Sequence, residues 1–187
     1  MKKIAYIIIF IFIIGSMTGC VFQEEEKSNN IFLIPEGFDG AIFVFHDVPD
    51  KPKFKKEGNF SIIPVEIRVS ETLAGSGMAT YGVAFTSEPV DDSVFIDDKF
   101  YYVDDDGNRQ KLNDYCTSSD GSGGLSGDTK GGIGVSYSVT FVTNNSCDES
   151  FYLYGREKHR IQRHEILKEW GEIFGNINVD GYDDPLM

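Results

Sequence analysis

The chain has little positive charge. Against 30 acidic side chains it sets 17 lysines and arginines, for a formal net charge of −13 over 187 residues. A surface of that sign repels polyphosphates, which excludes nucleic acid and disfavours charge-driven docking onto lipid headgroups; a partner selected by overall charge is cationic or neutral. Long apolar runs are missing as well. The run Ile4 to Ile14, IAYIIIFIFII, is eleven residues, well short of the roughly 20 that a membrane-crossing helix needs. Catalytic signatures are scarce. No serine sits in the Gly-x-Ser-x-Gly pattern of a nucleophile elbow. The glycine-rich stretch 120–132, DGSGGLSGDTKGG, sets Lys130 after Thr129 and before Gly131, the wrong order for a phosphate loop. There are three histidines, His46, His159 and His164, and the last two are five apart, off the spacing of a helical zinc site. No catalytic residue, metal or cofactor is assigned on these grounds.

What is present begins with the amino terminus. Met1-Lys2-Lys3 is basic, the eleven-residue apolar run follows, and Gly15 and Ser16 open a small-residue exit, the physical layout of a secretory signal. The exit ends Met17-Thr18-Gly19-Cys20, which resembles the bacterial lipobox. That resemblance implies cleavage after residue 19, diacylglycerol on the Cys20 thiol, and residence on the outer face of the cell membrane. Two acyl chains hold a protein on a bilayer where one gives only marginal binding. Residues 20–30 then read as a lipidated cysteine and a polar, acidic tether with too little apolar surface to offset its ordering entropy.

With Cys20 assigned to lipid, Cys116 and Cys147 remain. An even pair in an oxidising compartment is expected to form a disulfide.

From residue 31 the pattern is of strands. IFLIP at 31–35 and AIFVFHDV at 41–48 flank the turn EGFDG. The second is apolar on both alternating faces, Ile42 and Val44 against Phe43 and Phe45, as a central strand is. FSIIPVEIRV at 60–69 alternates with an interruption at Pro64, where a kink or an edge is expected. Between them lies a charged, proline-marked loop, DKPKFKKEGN, and SETLAGSGMAT at 70–80 reads as a further loop. KFYYVDDDGNRQKL reads as a hairpin turning at Asp106-Gly107; a calcium loop at DDDGN, 104–108, is the alternative, against which glycine falls fourth and Tyr115 twelfth. IGVSYSVTFV at 133–142 alternates strictly, one face core and the other wet. The stretch between Cys116 and Ile133 reads as a flexible glycine-serine excursion, and FYLYGR from 151 as one more aromatic strand. Its rings, with Phe100, Tyr101 and Tyr102, suit core packing, with a stacking platform as the alternative. Only from about Arg156 to Phe174 does the period become helical, through Ile161, Ile166, Trp170, Ile173 and Phe174.

These elements predict a mainly β fold: a single antiparallel β-sandwich, transthyretin-like or immunoglobulin-like, over residues 31–175, with one C-terminal amphipathic helix from about 156 and a tail at 176–187. The strings IFLIPEGFDGAIFVF, GNFSIIPV and DKFYYVDDDGNRQKL resemble a family of small lipoproteins from Bacillus-type bacteria that carry a domain of unknown function. The matching residues are Leu33 to Gly37 and Gly40, then Asp98 to Val103 and Gly107. The resemblance implies an all-β extracytoplasmic lipoprotein and carries no activity. Two functions follow from the reading. The first is a membrane-anchored, non-enzymatic binding or structural module, its ligand a protein or glycan. The alternative is an extracytoplasmic hydrolase or metal-dependent enzyme using His46 with nearby acids such as Asp47 and Asp50, which requires those side chains to share one pocket.

Overall fold

The computed structural model describes residues 27–90, 95–125 and 134–174. The signal segment, Cys20, Lys130 and the tail lie outside the described residues. Twelve strands and two helices follow one another as β1 (Lys27–Ser28), β2 (Asn30–Pro35), β3 (Gly40–His46), β4 (Lys55–Glu57), β5 (Phe60–Pro64), β6 (Glu66–Val69), β7 (Thr80–Phe85), β8 (Phe95–Ile96), β9 (Lys99–Val103), β10 (Arg109–Lys111), β11 (Thr117–Leu125), β12 (Val135–Val142), α1 (Glu149–Tyr154) and α2 (Glu157–Phe174). Apart from the short β1–β8 pair, they form two five-stranded sheets, ordered β10-β9-β2-β5-β4 and β11-β12-β3-β7-β6.

The mainly β, sandwich-like architecture with a C-terminal helix is as expected, but the sheets are mixed. β2 pairs in parallel with both β5 and β9, and β3 in parallel with β7. The cause lies in the short connections. EGFDG, read as an ordinary turn, carries the chain from the first sheet into the second, so β2 and β3 are neighbours in sequence and not in a ladder. At Pro64 the same thing recurs. β5 ends at Pro64, the Val65 N–H donates to the Leu33 carbonyl (2.9 Å), and the next four residues form β6 at the edge of the other sheet. A proline has no N–H for a ladder, so the strand changes sheets there.

β3 is buried along its length, and both of its faces are core. Ile42 and Val44 point between the sheets, with Phe32, Ile34 and Ile63 from the first sheet. Ala41, Phe43 and Phe45 point the other way, with Val139 and Phe141 of β12 and with Ile166, Leu167 and Trp170 of α2. The molecule is three layers: sheet, sheet, helix. β12 sends Val135, Tyr137, Val139 and Phe141 toward the helix as its alternation predicts. Its polar face is less wet than expected, since Ser136 and Ser138 are half-buried and Thr140 is 9% exposed between the sheets.

Two segments differ from the sequence reading. FYLYGR does not continue the sheet: residues 149–154 are helix α1, capped by Asp148, whose Oδ1 accepts from the Phe151 N–H (2.8 Å), and closed by Gly155 at φ 60°. The glycine-serine stretch after Cys116 is not an excursion as far as residue 125. It is strand β11, in antiparallel register with β12 from Thr117↔Val142 to Leu125↔Val135 with one bulge; residues 126–133 lie outside the described set. Glycine is required at 123 because a Cβ there would lie 2.5 Å from the Tyr137 hydroxyl.

One end of the sandwich is closed by specific bonds. Cys116 and Cys147 are joined in a disulfide, with Cα atoms 4.4 Å apart. The buried α2 face carries Ile166 and Trp170 as expected, but also Gln162, while Ile161 is half-buried and Ile173 exposed. The Gln162 Oε1 accepts from the Ala41 N–H (2.7 Å), and its Nε2 donates to the Met78 and Thr80 carbonyls (2.6 and 2.7 Å). The β3–β7 ladder begins only at Ile42↔Gly82, so this one amide stands in for the missing strand partner just beyond its end. Beside it, the Asp39 carboxylate takes Lys158 and accepts from the Thr143 hydroxyl (2.9 Å), while the buried His159, stacked on Phe141, holds Nε2 3.5 Å away. Burial alone would raise the Asp39 carboxyl; the contacts with His159, Lys158 and Thr143 outweigh it and hold it well below the usual carboxylate range.

Candidate functional site

The opposite end of the sandwich is open. β3 finishes at His46, and the chain turns through Asp47 in a left-handed conformation (φ 58°). The ladder is prolonged past Phe45↔Phe85 by the Asp47 N–H to the Glu88 carbonyl (3.0 Å) and the Val48 N–H to the Thr86 carbonyl (3.0 Å). Glu88 is thereby placed beside the end of β3. Its side chain reaches across to the lysine-rich loop, where Oε2 accepts from the Phe54 N–H (3.3 Å). The result is a cleft of about 320 Å³ between the two sheets. His46 and Glu88 come to it from the second sheet, Asn30 and Ser61 from the first, and Lys53 and Lys56 from the loop and strand that overhang it.

The groups in the cleft differ in how far they are engaged. Asn30 donates from Nδ2 to Asp98 (2.9 Å), and the Lys56 ammonium donates to the Ser61 hydroxyl (2.9 Å). Lys53 is exposed and pairs with no acid among the described residues. The His46 ring is largely buried, with Nε2 3.5 Å from the Ser138 hydroxyl. Burial lowers its pKa, opposed by the charges of Asp47 and Glu88 and by the Glu88 and Pro89 backbone.

The sequence-derived candidates are dispersed. His46 lines the cleft, but Asp47 and Asp50 are exposed and outside its lining, each at a left-handed φ that turns it to solvent. The carboxylate that does meet the cleft with His46 is Glu88. His159 lies near the other end of β3: Phe141, on which it stacks, pairs with Ala41, whereas His46 pairs with Ser136. His164 is half-buried on α2. Among the described residues no three His, Cys, Asp or Glu side chains converge where a metal ion could sit. Asp104 of DDDGN is engaged within its own turn, where its two oxygens accept from the N–H and Nδ2 of Asn108 (2.8 and 2.9 Å). The residues that sequence reasoning missed are Glu88, Lys53 and Lys56. The lysines carried a signal, since four of the seven residues at 51–57 are lysine in an acidic chain. Glu88, in TSEP, carried none.

Fold and cleft together define a layered β-sandwich domain with a polar pocket at one end of its two sheets. The chain belongs to the family of unknown function DUF6843, which it matches over residues 26–151, a span that encloses the stretch singled out from sequence and ends inside α1. A crystal structure at 2.75 Å of a candidate lipoprotein from Bacillus anthracis has the same fold, with 22% identity and a TM-score of 0.60 over 80% of this chain and 98% of that one. No curated protein matches the chain. Among the described residues no helix is long and apolar enough to cross a membrane.

Proposed function

We propose that this protein is a lipid-anchored, non-enzymatic binding module displayed on the outer face of the cell membrane, with Cys20 as the lipidated residue and the inter-sheet cleft as its binding site. The observation that carries this reading is the placement of the cleft relative to the lipobox-like MTGC. Asn30, on the cleft wall, lies ten residues after Cys20, and ten residues of extended chain reach no more than about 36 Å. An anchor at Cys20 therefore keeps the Asn30 end of the sandwich within that distance of the bilayer. The likeness to a candidate lipoprotein of Bacillus anthracis supports a lipid anchor. The exposure of Asp47 and Asp50 outside the cleft removes the two acids that the hydrolase alternative named as examples beside His46, which favours binding. The test is Cys20→Ala, which moves the protein out of the membrane fraction and removes labelling by a radioactive fatty acid. Retention of the label in that variant refutes the anchor.

A further inference from the structure

Resting on the binding-module reading, we infer that the cleft takes a small polyol phosphate: an anionic phosphate group held at the rim by Lys53 and Lys56, and hydroxyls hydrogen-bonded deeper in by Glu88, Ser61 and Asn30. The overall charge pointed to a cationic or neutral partner, but a ligand meets local groups. Within a chain of net charge −13, four of the 17 cationic side chains fall in residues 51–57, and two of these stand over the concave site. Neither forms an ion pair with an acid among the described residues, Lys56 resting only on a hydroxyl. Glu88 is close by, yet its carboxylate is turned to the Phe54 backbone N–H. Paired charges would have cancelled; here the two ammonium groups carry no acid partner among the described residues and the carboxylate oxygen is taken by a backbone N–H, so the two signs stay separate in their bonding.

That separation selects the ligand. Ammonium groups satisfy a phosphate through charge-assisted bonds, and a carboxylate, which only accepts, satisfies hydroxyl donors and repels a second anion. A volume of about 320 Å³ exceeds what inorganic phosphate fills and suits a phosphate ester of a few carbons. The same chemistry has two sources, a free polyol phosphate or the headgroup of an anionic lipid such as phosphatidylglycerol, and an anchor at Cys20 leaves the second within about 36 Å of Asn30.

The experiment uses the lipidated full chain in phosphatidylcholine nanodiscs, with the His46 imidazole resonances as the local reporter. One arm adds glycerol 3-phosphate, and the other replaces part of the lipid with phosphatidylglycerol. A saturable shift in either arm that weakens about tenfold or more in Lys53→Gln/Lys56→Gln, the loss expected for charge-assisted bonds, and is kept in the charge-matched Lys111→Gln/Lys168→Gln, supports the assignment; the responding arm names the source. Equal weakening in both double variants overturns it, because the effect is then that of net charge alone. No shift in either arm also overturns it. Saturable binding of neutral glycerol or a disaccharide, indifferent to both lysines, overturns the anion while leaving the binding-module reading intact, so the two failures are distinguishable.

Discussion

Gln162 is the side chain whose removal the fold should feel most for its size. It is 2% exposed, and its amide makes three bonds, one from the Ala41 N–H and two to the Met78 and Thr80 carbonyls. Gln162→Leu keeps the approximate volume and removes all three. Ala41 is fully buried, so water cannot replace the lost acceptor, and an unsatisfied buried donor costs about 1–3 kcal/mol. Each carbonyl keeps a second lone pair and loses less, about 1 kcal/mol. The sum is about 3–5 kcal/mol, a large part of the 5–15 kcal/mol typical of a domain, or roughly 6–20 °C in Tm at this chain length.

The assay is thermal and urea unfolding, with Gln110→Leu on the exposed β10 as control, expected to stay within about 0.5 kcal/mol of wild type. Gln162→Glu adds a diagnostic. At pH 7 a carboxylate can still accept from Ala41 but has no proton for either carbonyl. At pH 4 protonation restores one donor, so its deficit relative to wild type should narrow on acidification, whereas that of Gln162→Leu should not. If Gln162→Leu unfolds with the control, the backbone groups at the base of β3 and β7 find other partners and the reasoning is wrong.

Reduction of the Cys116–Cys147 bridge, or Cys116→Ser/Cys147→Ser, opens a loop of sequence separation 31, for which the chain-entropy relation gives about 3–4 kcal/mol; coincident melts with and without reductant would contradict it. Asp39, with its carboxyl held low by His159, Lys158 and Thr143 against the opposing effect of burial, contributes stability that is full above the unfolded-state pKa near 4 and is lost as pH falls through the lower folded value. Asp39→Asn should therefore be the less stable at pH 7 and lose less on acidification, and parallel pH–stability curves for the two would refute that assignment.

How much of this was legible depends on which physical term decides each segment. Apolarity on both faces marked β3 as central because burial from two sides leaves no polar alternation to find. The Pro64 interruption was visible because a missing N–H is a local fact, although its consequence, a change of sheet, depends on strands that are distant in sequence. FYLYGR was misread because aromatic composition favours strands by packing, a weak preference, whereas Asp148 and Gly155 cap both ends of one helical turn and supply bonds a strand would not use. TSSDGSGGL was misread for the opposite reason. Glycines lower intrinsic strand preference, but β12 offers a full ladder, and the space above Gly123 is where the Tyr137 hydroxyl goes. Parallel pairing is invisible in one strand's pattern, since partner direction leaves no trace in its own alternation. The cleft was the least legible part. Its residues come from separate elements that meet only once the sheets stack; His46 was singled out with the wrong partners, and the lysine cluster looked like a solvated loop.

The sandwich also has a direction. β2 leaves the cleft at Asn30 and ends at the turn that holds Asp39, and β3 returns from Gly40 to His46. At the Asp39 end, covalent and buried polar bonds are concentrated: the disulfide, the Gln162 amide, and Asp39 with Lys158 and Thr143. At the His46 end, among the described residues, the side-chain bond that crosses between the sheets beside the cleft is that of Glu88 to the Phe54 backbone, while that of Lys56 to Ser61 lies within the first sheet. Binding sites are drawn from the less stable parts of a structure because a ligand must be admitted before it is held. Concentrating the strong bonds at one end lets the other stay open without loss of the fold.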